Sequence, residues 1–445
     1  MIRSISRLRF LIAAFSCVML LINSNDAFAV PIELSLNDSV SLALKNNFSV
    51  KIAKADKETS VWGVSEAKAK FGPTLTYTHK DTRTGLPTFT LEKYFAGTSL
   101  AGISSTAFGG TYTSFGNTIS VSVPLYTGGN LEGQRDQANN NLQVADLEVR
   151  KAKQQIKFDT LTAYFNVLKA DAQLRVNQEA LDNLILHLNS VQTQFDAGTV
   201  NKADVLSSEV EVVNARQELI KSKNDYNLAL ASLKNVIGLP LDSEIKVKDE
   251  LSYQEYPLSL EECLKHALNY RPDIRQMEAK VGFAKSGVKV AKSSKLPQIN
   301  FNGSNNWNDD KFPGAKQDYW MVSLTASINV FDSGLTKARM KEAESSVDKA
   351  LEQVRQSREA VALDVSQAYL SLKAAEERIV TSKAAVDKAK EAFKINEIRY
   401  REGVNTNLVV IDSQLAVAKA KNNYHQALYD YNSSKAKLDK SIGID

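Results

Sequence analysis

The sequence predicts a mainly helical, internally duplicated fold: a long coiled-coil α-helical barrel together with four β-strands per chain that belong to a membrane β-barrel. Three observations predict it. Residues 126–240 repeat as residues 331–445 at a constant offset of 205, with no gap across 115 positions. Each copy carries an apolar seam written in sevens. Each copy also places stretches of alternating apolar and small polar residues ahead of its longest helix.

In the repeat, Tyr126 answers to Phe331, Gly129 to Gly334, Tyr164 to Tyr369, Phe195 to Tyr400 and Gly198 to Gly403. One inserted residue would rotate every later side chain of a coiled coil by about 100°, so a repeat without gaps means halves matched in length. Upstream, Leu36, Ala43, Leu44 and Pro73 match Leu260, Ala267, Leu268 and Pro297 at an offset of 224. The 19-residue difference lies between Pro73 and Tyr126, a stretch rich in Gly, Ser and Thr where a loop can lengthen without disturbing helices. Residues 83–115 are therefore expected to form the longer, external loop of the first copy. The chain divides into a signal peptide (1–29), a first repeat (30–240), a connector (241–258) and a second repeat (259–445). Each repeat runs helix, β-hairpin, long helix, helix.

The leader carries Arg3, Arg7 and Arg9, an apolar run from Phe10 to Ile22, and Ala27-Phe28-Ala29 before the expected cleavage at Val30. Ala14-Phe15-Ser16 ahead of Cys17 makes a poor lipoprotein box. Cys263 alone remains after cleavage, so no intrachain disulfide forms, and a lone helical Cys is most often a small buried apolar residue. The mature chain holds 52 basic and 50 acidic residues, and this balance gives no sign of a nucleic-acid partner. It has no apolar run near the about 20 residues a membrane helix needs. Entry into a membrane is then possible only as β-structure.

Val167, Leu174, Leu181, Leu188 and Phe195 form the seam of the first copy; Val365, Leu372, Ile379, Val386, Phe393 and Tyr400 form that of the second. A period of 3.5 rather than 3.6 residues requires left-handed supercoiling against neighbouring helices. From after Gly129 to Phe195 there is no Pro and a single Gly, Gly133, near the start, and from after Gly334 to Tyr400 there is no Pro or Gly, which allows one helix of about 65 residues, on the order of 100 Å long. Each ends at a Gly-centred turn, around Gly198 or Gly403, and a second helix returns, with Asn201 or Thr406 placed to cap it. A shorter helix precedes the strands in each copy, over residues 36–70 and 260–294, stopped by Pro73 or Pro297.

The strands are most legible in the second member of each hairpin. Ile119, Val121, Val123 and Leu125 alternate with Thr118, Ser120, Ser122 and Pro124; Val322, Leu324, Ala326, Ile328 and Val330 alternate with Ser323, Thr325, Ser327 and Asn329. Alternation alone also suits a half-buried soluble sheet. Lengths near ten residues with Tyr126, Tyr319, Trp320 and Phe331 at the ends suit a transmembrane barrel. The first members lie around 74–82 and 298–307. Four strands cannot close a barrel, and open edges in lipid would leave backbone groups unpaired at several kcal/mol each. Two chains would supply eight strands and a filled interior, three would supply twelve and room for passage. A channel therefore favours a trimer.

The duplicated unit, the Leu125-Tyr126-Thr127-Gly128-Gly129 and Val330-Phe331-Asp332-Ser333-Gly334 junctions, and Arg399-Tyr400-Arg401-Glu402-Gly403-Val404 followed by Val410-Ile411-Asp412 resemble the TolC-type outer-membrane efflux protein family over essentially the whole mature chain. The resemblance implies a homotrimer whose twelve-stranded barrel, set in outer-membrane lipid, continues into a helical periplasmic tunnel. It further implies a channel that exports substrates from a tripartite efflux or type I secretion system, with a periplasmic adaptor protein and an inner-membrane pump or ABC transporter as partners. It places adaptor docking at Gly198, Thr199, Val200, Gly403 and Val404. It places the periplasmic gate at Tyr400, Asp412 and Asp204, with Asn405 where the family has an Arg and Val409 where it has an inner Asp. Both departures remove charge from the expected lock and leave a single acidic ring. Duller roles exist: Asp204 is spaced from Asn201 as a capping-box acid, and Tyr400 continues the heptad seam.

The four His lie in separate segments without metal-ligand spacing, and no phosphate loop or nucleophile elbow occurs. No enzyme activity, cofactor or metal is expected. The alternative reading is a soluble periplasmic coiled-coil scaffold or adaptor, which would have no need of two unbroken apolar strand faces.

Overall fold

The structure, a computed structural model, describes residues 32–90 and 107–444; the signal peptide and Cys17 lie outside the described residues. In chain order the elements are β1 (Ile32–Leu34), α1 (Leu36–Asn46), α2 (Phe48–Ala69), β2 (Thr74–Thr90), β3 (Ala107–Tyr126), α3 (Asn130–Asp196) and α4 (Lys202–Ile237). Then follow β4 (Ile245–Val247), α5 (Leu260–Tyr270), α6 (Pro272–Ser293), β5 (Gln298–Asp309), β6 (Gln317–Ser327), α7 (Leu335–Arg401) and α8 (Asn407–Ile442). The long helices α3 and α7 have 67 residues each and the returning helices α4 and α8 have 36 each. No described helix is long and apolar enough to cross a membrane.

Four expectations are corrected. The helices expected over 36–70 and 260–294 are each two helices. Pro272 forces Arg271 out of the helical region, to ψ 128°; at the matching point Asn47 is extended and its side chain accepts from the Ser49 amide at 2.8 Å, starting a new helix. The chain has six described strands rather than four, because β4 in the connector pairs in parallel with β1. Much of the expected 83–115 loop is strand: β2 and β3 stay paired from Thr74↔Ser122 out to Thr90↔Ala107. Thr- and Tyr-rich sequence on both sides suits that extended hairpin. Finally, Ile328 and Val330 lie beyond β6, which ends at Ser327 opposite Gln298. The partner strand starts there because Pro297 has no N–H for a ladder.

The chain forms two compact units. One comprises residues up to Ile52, Lys151–Arg271 and Val361 onward; the other comprises Ala53–Arg150 and Pro272–Ala360. The first unit has a core of Leu34, Val50, Ile156, Tyr164, Val167, Leu233, Ile237 and Ile245. Full burial of such side chains contributes about 1.5–3 kcal/mol each. The seam residues Val167, Leu181, Val365, Leu372, Ile379 and Val386 are all buried. Tyrosine hydroxyls tie the connector to this core. Tyr164 donates to Asp249 Oδ2 at 2.7 Å, Tyr256 to Asp439 Oδ1 at 2.9 Å and Tyr431 to the Gln254 carbonyl at 2.6 Å. Burial pushes the Asp439 carboxyl above its ordinary pKa, and burial beside that carboxylate pushes the Tyr256 hydroxyl up.

The second unit holds the antiparallel sheet, in the order β2-β3-β5-β6. Beneath it the start of α3 meets α6: Lys289 Nζ pairs with Asp136 at 3.1 Å, and the buried Gln276 donates to Glu148 Oε2 at 2.7 Å.

Candidate functional site: a two-faced sheet and paired hairpin tips

The strand register sorts side chains onto two faces, since alternate residues point to opposite sides of a strand. Leu75 opposes Val121, and Tyr77 opposes Ile119. Val123 opposes Phe301, Phe301 opposes Leu324, and Val121 opposes Gly303, which opposes Val322. Over these rows one face is apolar across all four strands, with Asn305 between Ile119 and Trp320 as a polar interruption; in the next row the same face turns polar at His79, Asn117 and Asp318. Among the described residues nothing covers it: Leu75 is 73% exposed, Leu324 66% and Trp320 77%. Leu125 falls at a bulge between Pro124 and Tyr126, so it opposes no residue of β5 and Tyr126 pairs with Ile299 instead.

The other face carries Thr74, Thr76 and Thr78 from β2, Thr118, Ser120 and Ser122 from β3, and Asn302, Ser304 and Asn306 from β5, with Tyr319 and Met321 of β6 as its larger members. Thr118 Oγ1 donates to Asn306 Oδ1 at 2.8 Å and Ser122 Oγ to Asn302 Oδ1 at 2.9 Å. Cross-strand polar pairs of this kind reinforce the ladder while keeping the face hydrophilic.

At the far ends of α3 and α7 the turns are built alike. Gly198 (φ 75°) donates to the Phe195 carbonyl and Thr199 to that of Gln194; Gly403 (φ 71°) donates to Tyr400 and Val404 to Arg399. Both are Schellman motifs, for which a left-handed residue is required and Gly is least strained. The turn residues Gly198, Thr199, Gly403 and Val404 are exposed, Val404 at 63%, and Val200 is half-buried.

The starts of the returning helices differ. Asn201 and Asp204 form a capping box on α4, with Asn201 Oδ1 accepting from the Asp204 amide at 3.0 Å. Thr406 holds the N-cap position of α8 but its side chain makes no capping bond, which corrects the expectation of a cap there. The residue that would complete a box, matching Asp204, is Val409.

Of the expected gate residues, Tyr400 and Asp204 come together. The Tyr400 hydroxyl donates to Gln194 Oε1 at 2.9 Å; burial and then the Asp204 charge hold its pKa above the ordinary value, so it remains a donor. Asn405 turns to its own hairpin, donating to Asn396 Oδ1 at 3.1 Å. Asp412 is exposed, with no hydrogen-bond or ion-pair partner among the described residues. The structure adds His187, Gln194, Ser208 and Asn407, which sequence analysis did not single out. Asn407 is 3% exposed; its amide donates to the Asp204 carbonyl and to Ser208 Oγ, both at 3.0 Å, and its Oδ1 lies 2.6 Å from His187 Nε2. A signal was present: Asn407 and Gln414, seven apart, interrupt the otherwise apolar stripe of Val410 and Ile411. Among the described residues no group of three or more metal-ligating side chains occurs.

A sheet with one lipid-compatible face, in a chain otherwise made of coiled-coil hairpins, defines the class of outer-membrane channel-tunnel proteins. A profile of the outer membrane efflux protein family matches residues 39–239 and 263–444. The chain is similar to the pyoverdine export outer membrane protein OpmQ of Pseudomonas putida, 23% identical over 75% of this chain and 71% of that protein. It is also similar to the alkaline protease secretion protein AprF of Pseudomonas aeruginosa, 22% identical over 96% of this chain and 87% of that one. The outer membrane channel CmeC of Campylobacter jejuni shares the fold at a TM-score of 0.77, with 16% identity, over 92% of this chain and 85% of CmeC. The chain belongs to the outer membrane efflux protein family, a family of outer-membrane channel proteins rather than enzymes.

Proposed function

We propose that three copies of the chain close a twelve-stranded barrel in the outer membrane and join their hairpins into a periplasmic tunnel. In this reading the tunnel is a passive exit duct for a tripartite efflux or type I secretion system. The observation that carries it is the sheet: one apolar face, one hydrogen-bonded polar face, and two outer strands, β2 and β6, whose free edges lipid would not tolerate. Pairing β6 of one copy with β2 of the next removes every edge. A second feature favours association of copies. Leu206, Val210, Val213, Ile220 and Leu228 lie along one side of α4 and are each at least half exposed, a surface that helices of another chain would bury.

In this reading the apolar face meets lipid, the Thr, Ser and Asn face lines the bore, and the turns at Gly198 and Gly403 receive a periplasmic adaptor that couples the duct to an inner-membrane pump or ABC transporter. Asp412, exposed and unpaired, supplies the acidic ring of the constriction. Asp412→Asn is expected to lower the preference of the pore for cations, measured as reversal potential in a salt gradient across a planar bilayer; unchanged selectivity would remove Asp412 from the constriction. The test of the whole reading is the native mass of the mature protein extracted from outer membranes in mild detergent, corrected for bound detergent. A detergent-dependent trimer is expected. A monomer or dimer stable without detergent would favour the soluble scaffold.

A further inference from the structure

Charge is sorted between the two faces of the sheet. Among the described residues of its strands, His79, Asp81, Arg83, Asp309 and Asp318 all lie on the face that carries Ile119 and Trp320. The polar face has a single charged side chain, Lys80. It stands about 20 Å along β2 from Thr74, at the level where the opposite face gives way from apolar to polar residues. Its row runs Lys80, Gly116, Asn308 and Gln317.

Nothing in that row neutralises the ammonium. Asn308 and Gln317 are uncharged amides, and Gly116 leaves a gap over which Asn308 leans, its Oδ1 2.8 Å from where a Cβ would stand. Lys80 is exposed and has no hydrogen-bond or ion-pair partner among the described residues. The carboxylates at this level are engaged on the other face: Asp81 lies 2.8 Å from His79 Nε2, and Asp309 accepts from the Lys311 amide at 3.3 Å. The turn between β5 and β6 folds onto that other face as well. Asn117 Nδ2 donates to the Pro313 carbonyl at 2.6 Å, and the Phe312 ring meets those of His79 and Phe115 edge-on, each at 5.9 Å. The turn is thereby drawn away from the Lys80 row.

We propose that in the closed barrel Lys80 of the three copies forms a cationic ring on the bore face, which sets the charge preference of the outer mouth and takes up polyvalent anions through their phosphate or carboxylate groups. The inference rests on the reading of the sheet as one third of a trimeric barrel. A single exposed lysine is ordinarily a solvated charge. Three at one level of a closed bore, between walls of low dielectric, focus their field on whatever passes, and rings of Lys or Arg are the general means by which pores favour anions.

The test is block of the purified trimer in a planar bilayer by inorganic tripolyphosphate, added to each side in turn. Addition to one side is expected to lower the conductance, less so as salt rises and screens the ring. Lys80→Gln is expected to raise the half-blocking concentration roughly tenfold; having no partner to lose, it is expected to assemble at the wild-type level. Lys80→Arg, which keeps the charge, and Lys311→Gln, which removes a cation from the turn on the other face, are both expected to block as wild type does. A second readout is the reversal potential in a salt gradient, which Lys80→Gln is expected to move toward cation preference. A conducting wild-type trimer that tripolyphosphate does not block, Lys80→Gln blocked as tightly as wild type, or equal loss of block in Lys311→Gln would overturn the ring while leaving the channel standing. A wild-type protein that is not trimeric and never conducts would overturn the duct, and the ring with it.

Discussion

Lysine at Val121 or at Leu324 is expected to abolish accumulation of the proposed trimer in the outer membrane. Each position sits on the apolar face: Val121 between Leu75 and Gly303, Leu324 opposite Phe301. On a barrel's lipid face a cation near the bilayer centre costs about 2–4 kcal/mol, and threefold symmetry would apply that cost three times. Thr76→Lys serves as the control, since Thr76 opposes Ser120 on the polar face and its cation would meet water. The measurement is trimer abundance in outer-membrane fractions. Full assembly of both apolar-face variants, or equal loss in the control, would show that the faces are assigned wrongly.

Gly128→Ser is expected to destabilise the protein strongly, and Ser333→Gly is expected not to. The two positions correspond in the duplication, and both adopt positive φ, 62° at Gly128 and 52° at Ser333, where a strand hands over to a long helix. The surroundings differ. A Cβ on Gly128 would stand 2.7 Å from the Ser293 carbonyl oxygen and 2.9 Å from Leu296 Cβ, and the first of these contacts is backbone that cannot swing away. The left-handed conformation costs an L-residue about 1–2 kcal/mol and overpacking typically about 1–3 kcal/mol more. Ser333→Gly relieves the first of these and adds unfolded-state entropy, so its net effect stays within about 1 kcal/mol. Urea midpoints of the two purified variants in detergent test the contrast; a Gly128→Ser protein as stable as wild type would refute it.

Legibility followed the range of the interactions. The heptad seams were readable because helical periodicity is local, and their members Val167, Leu181, Val365 and Leu372 are buried as that periodicity requires. The break at Arg271 was missed although Pro272 marks it in the sequence; its counterpart at Asn47 has no Pro and depends on a side-chain cap that the composition does not demand. The pairing of β1 with β4 was out of reach: three residues at each end, Ile32↔Ile245 to Leu34↔Val247, hold too little pattern to distinguish them from loop.

The gate shows the same limit. Tyr400, Asp204 and Asp412 were found by matching motifs, yet Tyr400 bonds to Gln194, and Asn405 bonds within its own hairpin. His187 and Asn407 are 220 residues apart, and nothing in either neighbourhood names the other.

The sequence by itself determined the duplication, the equal helix lengths, the Gly-centred turns and the alternation of the strands, because each follows from backbone sterics and side-chain periodicity within a few residues. Only the tertiary structure decided the strand register that makes one face apolar across four strands, and which buried polar groups satisfy one another between hairpins. Those depend on which distant segments meet. A hydrogen bond between residues far apart in the chain leaves no periodic trace, since its geometry exists only once both partners have been packed into place.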